Sequence, residues 1–284
     1  MRALDPEVVD ALWAAVEALI PPPPRTHPLG RHRQRVPDRL CFEGILIRLA
    51  TGCSWTDTEV LLGGAVSDTT LRARRDEWVA AGVFEALAKQ AIDGFDRIAG
   101  LDMSEVGIDG SSHKAPCGGT GTGPNPCDRG KRGWKWSLAV DRHGVPIGWA
   151  ADGANRNDCK LVDPTLGAIA ARGLLEDIES VHLDRGYDHR FVVDLFDAVG
   201  INDINIARRR PRGHPDAGRP VPLGLRWIVE RTNSWLARFG QLRRNTDRRP
   251  ADRLAQLALA IAVLITGKLI DWRNRWSPMS LPIR

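Results

Sequence analysis

Lysine is scarce in this chain, six residues against 34 arginines, and tyrosine is reduced to one, Tyr187. A guanidinium makes planar, bidentate contacts to phosphate that an ammonium does not. A GC-rich genome produces the same bias, so the ratio alone assigns no partner. Cysteine is sparse too. The five, at 41, 53, 117, 127 and 159, are odd in number and none forms a CxxC pair. That pattern argues against a disulfide framework and for reduced thiols inside a cell. His113, Cys117 and Cys127 lack a fourth ligand at workable spacing, which sets a zinc site aside. No charged-then-apolar leader opens the chain. The apolar run Leu257–Ile265 is too short to span a bilayer and reads as a buried helix. These absences point to a cytoplasmic protein with no membrane partner.

What is present is a soluble, globular composition, 43% apolar and 26% charged over 284 residues, enough for one large domain and a small one. The formal net charge is +5, and its distribution says more than its total. Arg208 to Arg253 holds thirteen arginines against Asp216, Glu230, Asp247 and Asp252. A second basic run, Arg25 to Arg39, opposes its arginines only with Asp38. Clustered positive charge is the footprint of a polyanion binder.

The pattern along the chain predicts an amphipathic helix over 6–20, a stiff spacer at Pro21–Pro24 and a basic arm over 25–39. Helices follow over 38–51, over 56–63 with Thr56 and Glu59 as a capping box, and over 68–81 before Gly82. Three short helices with a glycine turn before the third resemble a helix-turn-helix module, with Thr69, Thr70, Arg72, Arg74 and Arg75 near the reading position. An ordinary three-helix bundle fits the spacing equally well. From about residue 105 strands are expected at 105–109, 134–141 and 145–150. The last two are joined by the turn Asp141–Gly144, and a Gly/Pro-rich loop separates the first two. Helix 157–172, strand 179–184, helix 188–199, strand 202–207, an Arg/Pro loop over 208–222, and helices 224–238 and 251–272 complete an α/β mixed sheet flanked by helices. The domain boundary falls between a helical region over 1–95 and a sheet domain over 100–284.

Three acids stand in distinct settings. Asp109 ends the apolar run Val106-Gly107-Ile108, Asp184 ends Val181-His182-Leu183, and Glu230 lies in the basic helical stretch RWIVERTNSWLARF. Carboxylates at strand ends, joined by one from a helix, suit a pair of Mg²⁺ ions clamping a phosphodiester. Among competing acids, Asp188 suits an N-cap, Asp141 the hairpin turn, and Asp158 a helix cap with a supporting role near the metals as the minor alternative. Ser111 and Ser112 beside His113 lack the G-x-S-x-G elbow of a serine hydrolase. Arg226 and Glu230, four apart, share a helix face, and Asn233 projects close to it.

In this order the segments VGIDGSSHKA, LDRGYD and RWIVERTNSWLARFGQLRRNTDR resemble the three catalytic motifs of DDE insertion-sequence transposases of the IS-five type, over roughly residues 30–270. LCFEGILIRLATGCSWTDTEV is similar to the small helical domain such proteins carry. The resemblance implies an RNase H-like catalytic domain in which Asp109, Asp184 and Glu230 bind two Mg²⁺ ions, with Mn²⁺ able to substitute. It implies cleavage of transposon ends and joining of the 3′-OH to target DNA. The related pattern Tyr-x2-Arg-x3-Glu-x6-Lys is met by Arg226 and Glu230. Leu223 stands in the Tyr place and Ala237 in the Lys place, with Arg238 adjacent. DNA contacts are expected from Arg226, Lys114, His113, Tyr187, Asn233, Arg231, Arg238, Arg72 and Arg75. The implied partners are terminal inverted repeats and target DNA at the bacterial nucleoid, bound by a homodimer or higher oligomer. A DNA-binding regulator without cleavage, and a metal nuclease without strand transfer, are the alternatives.

Overall fold

The computed structural model describes residues 3–22, 34–207 and 226–276. Pro23 and Pro24, residues 25–33 of the basic arm, the 208–222 loop and Leu223 lie outside that set. Contacts group the chain into two compact units. One holds the chain up to Gly94, Leu236–Asn245 and the stretch from Ala251 onward; the other holds Phe95–Trp235 and Thr246–Pro250.

The first unit begins with α1 (Pro6–Val16), extended by a 3-10 turn, then α2 (Asp38–Thr51), α3 (Trp55–Leu61), α4 (Asp68–Ala80) and α5 (Val83–Ala99). Ser54 and Asp57 form the reciprocal cap of α3, at 3.0 and 3.3 Å, in place of the expected Thr56 and Glu59. Glu59 instead accepts from the Asp68 amide at 2.9 Å, in the first turn of α4, whose N-cap is Ser67. The helix over 83–99 was not expected, although Phe84, Leu87, Ala88 and Ile92 are buried at helical spacing. Phe42 centres the aromatic core, 5.9 Å from Trp13 and 6.5 Å from Trp78.

The second unit carries β1 (Val106–Lys114), β2 (Gly123–Pro124), β3 (Arg132–Val140), β4 (Pro146–Gly153), α6 (Cys159–Ala170), β5 (Ser180–Leu183), α7 (Arg190–Ala198), β6 (Asp203–Ile206) and α8 (Arg226–Leu236). The chain then returns to the first unit as α9 (Gly240–Arg243) and α10 (Pro250–Trp276). The last helix, expected within the sheet domain, thus groups with the N-terminal helices. By length and composition alone α10 would cross a membrane. Every residue of Leu257–Ile265 is buried within the protein, as a core helix requires.

The sheet runs β4-β3-β1-β5-β6. β3 is antiparallel to β1 and β4, while β5 is parallel to β1 and β6. This is the RNase H-like order. The short β2 pairs with β3 only at Gly123 and Pro124. β3 is flanked on both sides and covered on both faces, so its residues from Gly133 are all buried and read as a near-continuous apolar run. Val106 and Ile108 of β1 and Val181 and Leu183 of β5 pack with Val162, Leu166 and Ile169 of α6 and Val192 and Phe196 of α7. The opposite face meets α8 through Trp136 and Asn233.

The structure corrects one boundary that matters. β1 was expected to end at Asp109, with Ser111–Lys114 in a loop. It continues to Lys114, because β3 pairs with it along its whole length from Gly107↔Val140 to Lys114↔Gly133.

Candidate active site

Parallel pairing between β1 and β5 stops at Ile108↔Leu183. Asp109 and Asp184 are the next residue of each strand, so the register sets them side by side where the sheet opens. Asp184 begins a 3-10 turn, Arg185–Tyr187, and its carboxylate accepts from the Arg185 amide. Glu230 sits in the second turn of α8, and its side chain is 46% exposed. Arg226, one turn earlier, joins the two more exposed acids: its Nη2 lies 3.5 Å from Asp184 Oδ1 and 3.2 Å from Glu230 Oε1.

Asp109 is partly buried at the sheet edge. Burial, then the charges of Glu230 and Asp158, push its carboxyl up to about 6, against the opposing pull of the Gly110 amide and Asn233. Asn233 Nδ2 donates to Asp109 Oδ2 at 3.3 Å. Asp158, at the N-cap position of α6, makes no capping bond with its side chain. It pairs instead with Lys135 Nζ at 2.8 Å. A Cβ on Gly110 would stand 2.2 Å from Asp158 Oδ1, so glycine after Asp109 is what lets this second carboxylate approach.

Lys135 escaped the sequence reading, and Asp158 was weighed only as a helix cap with a minor supporting role. A lone lysine inside the buried run WKWSLAV was the available signal, since lysine is seldom buried without a partner. Asp188 closes the Arg185–Tyr187 turn, and the N-cap of α7 expected of it falls to His189.

The DNA-contact residues expected from sequence divide by burial. Lys114, Arg72 and Arg238 are exposed; Lys114 Nζ lies 3.9 Å from Asp128, and Arg72 pairs with Asp68 at 2.8 Å. Arg226 and Asn233 stand at the acids. Arg231 lies over the rings of Trp227 and Trp235 at 4.5 and 4.8 Å. His113, Tyr187 and Arg75 are buried. His113 is stacked on Trp136, and burial lowers its pKa to about 4, so it is neutral. Tyr187 is 2% exposed. Its hydroxyl finds no hydrogen-bond partner among the described residues. Arg75 is 7% exposed, 3.8 Å from Asp252 and over the Trp55 ring at 5.3 Å. Arg74, named with it, is held by Asp38 and by the Val36 carbonyl.

A divalent cation fits the donor set. Three carboxylates offer hard oxygen ligands, the charge of Glu230 adds to burial in raising Asp109, and a cation already bridges Asp184 and Glu230 as the Arg226 guanidinium. Among the described residues no three His, Cys, Asp or Glu side chains stand in coordinating geometry. Sharing one ion therefore requires Arg226 to turn away and the exposed Asp184 and Glu230 to rotate inward.

Two family models match the chain. "Putative transposase of IS4/5 family" covers residues 8–88, and "Transposase DDE domain" covers 100–265. Among curated proteins, the chain is 38% identical over 133 residues to a Burkholderia cepacia protein described as "Putative transposase for insertion sequence element IS402". That match covers 45% of this chain and 60% of the relative. The uncharacterized 16.2 kDa protein of insertion element IS402, also from Burkholderia cepacia, is 33% identical over 121 residues, 43% of this chain and 82% of that protein. The chain thus spans less than two thirds of the first relative. Among solved structures, a chain of the Mos1 transposase paired-end complex with left transposon end aligns at 11% identity over 87% of this chain and 82% of that one. Its TM-score of 0.26 is too low to bear on fold or function. The N-terminal helices match the model described as "Putative transposase of IS4/5 family", and the model spanning more than half of the sequence places the chain in the transposase DDE-domain family.

Proposed function

We propose that this chain cuts the ends of an insertion sequence and joins the freed 3′-OH to target DNA. One observation carries the reading: Arg226 bridges Asp184, at the end of β5, and Glu230 of α8, while the strand register sets Asp109 of β1 beside Asp184 at the open edge of the sheet. Carboxylates from three elements at one sheet edge suit phosphoryl transfer better than a structural role, because their repulsion costs stability unless a cation relieves it.

Two Mg²⁺ ions, or Mn²⁺ in their place, would polarise the attacking oxygen and neutralise charge on the phosphate. The chain's residues do the rest. Asp109, held by Asn233, would hold the ions together with Asp184 and Glu230. Arg226, released from both, is placed to bind a phosphate beside the scissile bond. Lys114, exposed at the far end of β1, would add a phosphate contact within the second unit; Arg72 and Arg238 are exposed cations of the first unit. Two ends must be paired for joining, which calls for a dimer or higher oligomer on DNA.

The test is a duplex carrying the element's own terminal repeat, incubated with Mg²⁺ and resolved by gel for nicked and joined strands. Wild type is expected to yield both products. Asp109→Asn is expected to bind the duplex equally well and yield neither. Equal nicking by the variant would remove Asp109 from the reaction and the reading with it.

A further inference from the structure

We infer that Asn233 is a positioning residue for Asp109, with its amide oriented by the indole N–H of Trp136; the inference rests on the metal site proposed above. Trp136 lies in β3, fully buried, and its Nε1 donates to Asn233 Oδ1 at 2.8 Å. An indole N–H only donates, so the oxygen end of the amide must face it. The NH₂ end is then turned towards β1, where Asp109 Oδ2 accepts from it at 3.3 Å. The direction of the amide is thus fixed by chemistry.

The indole is itself clamped. The His113 ring stacks on it at 3.9 Å and 13°, and His113 Nε2 is bonded to Ser111 Oγ at 2.8 Å. Trp134 meets its edge at 5.2 Å. His113 therefore buttresses the indole from inside the sheet. Asn233 is 5% exposed and lies three residues after Glu230, so one amide links the helix carrying Glu230 to the strand carrying Asp109. A donor on Oδ2, with the Gly110 amide as a second donor, restricts the carboxylate rotamer and leaves its remaining lone pairs for an ion.

The experiment is Mn²⁺ titration of the full chain by calorimetry, without DNA, with thermal midpoints recorded alongside. Asn233→Ala, and Asn233→Leu, which fills the space without an amide, are each expected to weaken Mn²⁺ binding by roughly 10–100-fold, the usual effect of losing a partner that orients a ligand. Their midpoints should fall, since both leave the buried Trp136 indole N–H without its acceptor, so affinities are compared at a temperature where every variant is folded. Trp136→Phe should weaken binding in the same direction. The double variant Trp136→Phe/Asn233→Ala should bind no more weakly than Asn233→Ala, because the indole acts only through the amide. Additive losses would overturn the relay. Wild-type affinity in both Asn233 variants, with binding lost in Asp109→Asn, would overturn this inference alone. Wild-type affinity in Asp109→Asn would overturn the metal site beneath it. The Asn233 variants decide the matter even where Trp136→Phe fails to fold.

Discussion

Thr232 Oγ1 lies 3.1 Å from the carbonyl oxygen of Gly144 and donates to it, tying the turn between β3 and β4 to α8. Gly144 has φ +75°, and a Cβ there would stand 2.9 Å from Thr232 Oγ1 and 3.0 Å from Ile228 Cγ2. Both atoms belong to the helix that carries Glu230. Gly144→Ala should cost about 1–2 kcal/mol from the left-handed backbone alone, and more if the helix is pushed outward. A lowered thermal midpoint and slower end cleavage are expected. A variant unchanged in both would mean that the turn does not anchor α8.

The raised Asp109 carboxyl makes stability depend on pH. Its ordinary value is 3.8, and in the fold it is about 6. Between these values the folded chain keeps a proton that the unfolded chain releases. The resulting stabilisation is complete below about pH 4 and is lost as pH rises through 6, in total about 3 kcal/mol. Denaturant unfolding in chelator from pH 4 to 7 should show wild type losing stability relative to Asp109→Asn. Cation affinity should rise across the same window, since binding displaces the proton. Parallel stability curves for the two proteins would show that Asp109 is not raised.

The settings of the acids were legible because each follows a short apolar run or lies in a clear helical pattern; the order of those runs pointed to a mixed α/β sheet, and the RNase H-like arrangement was implied by the family resemblance alone. Burial of polar side chains was not legible. His113, Tyr187 and Arg75 have residue types that suggest a surface, yet an aromatic stack, a core position under the acids and an ion pair hold them inside. Such partners are distant in sequence, as Asp252 is from Arg75. The extent of β1 was hidden for the same reason: its residues beyond Asp109 are strand only because β3 pairs with them. The Asp158–Lys135 pair needed Gly110 to bring a helix end against a strand, and no local pattern announces that approach.

Arg72 and Arg75 sit three apart on α4 and should respond oppositely. Arg72 is exposed and paired only at the surface with Asp68, a contact contributing about 0.2–1 kcal/mol. Arg72→Ala should leave the thermal midpoint nearly unchanged and weaken DNA binding, with a shallower salt dependence. Arg75→Ala disturbs a buried pairing with Asp252 and the Trp55 ring, so a stability loss of up to about 3–5 kcal/mol is expected. Unfolding curves and gel shifts over a salt series separate the two. Weaker DNA binding by Arg75→Ala at full stability would mean that this side chain reaches DNA after all.

Arg226 gives a prediction in which binding and catalysis move apart. Its guanidinium is the cation between Asp184 and Glu230, so it competes with a metal ion for the same two carboxylates. Both partners are nearly half exposed, and the two contacts together contribute no more than about 1 kcal/mol. Arg226→Ala should therefore tighten Mn²⁺ binding to the DNA-free chain modestly, by up to about fivefold. The same change removes the group placed to hold phosphate beside the scissile bond, so end cleavage should fall at saturating Mn²⁺. Arg226→Lys keeps the charge and loses the planar fork; it should restore wild-type Mn²⁺ affinity while leaving cleavage impaired. Calorimetry and single-turnover cleavage read the two effects separately. Weaker Mn²⁺ binding in Arg226→Ala would show that the arginine supports the ion site instead of competing for it.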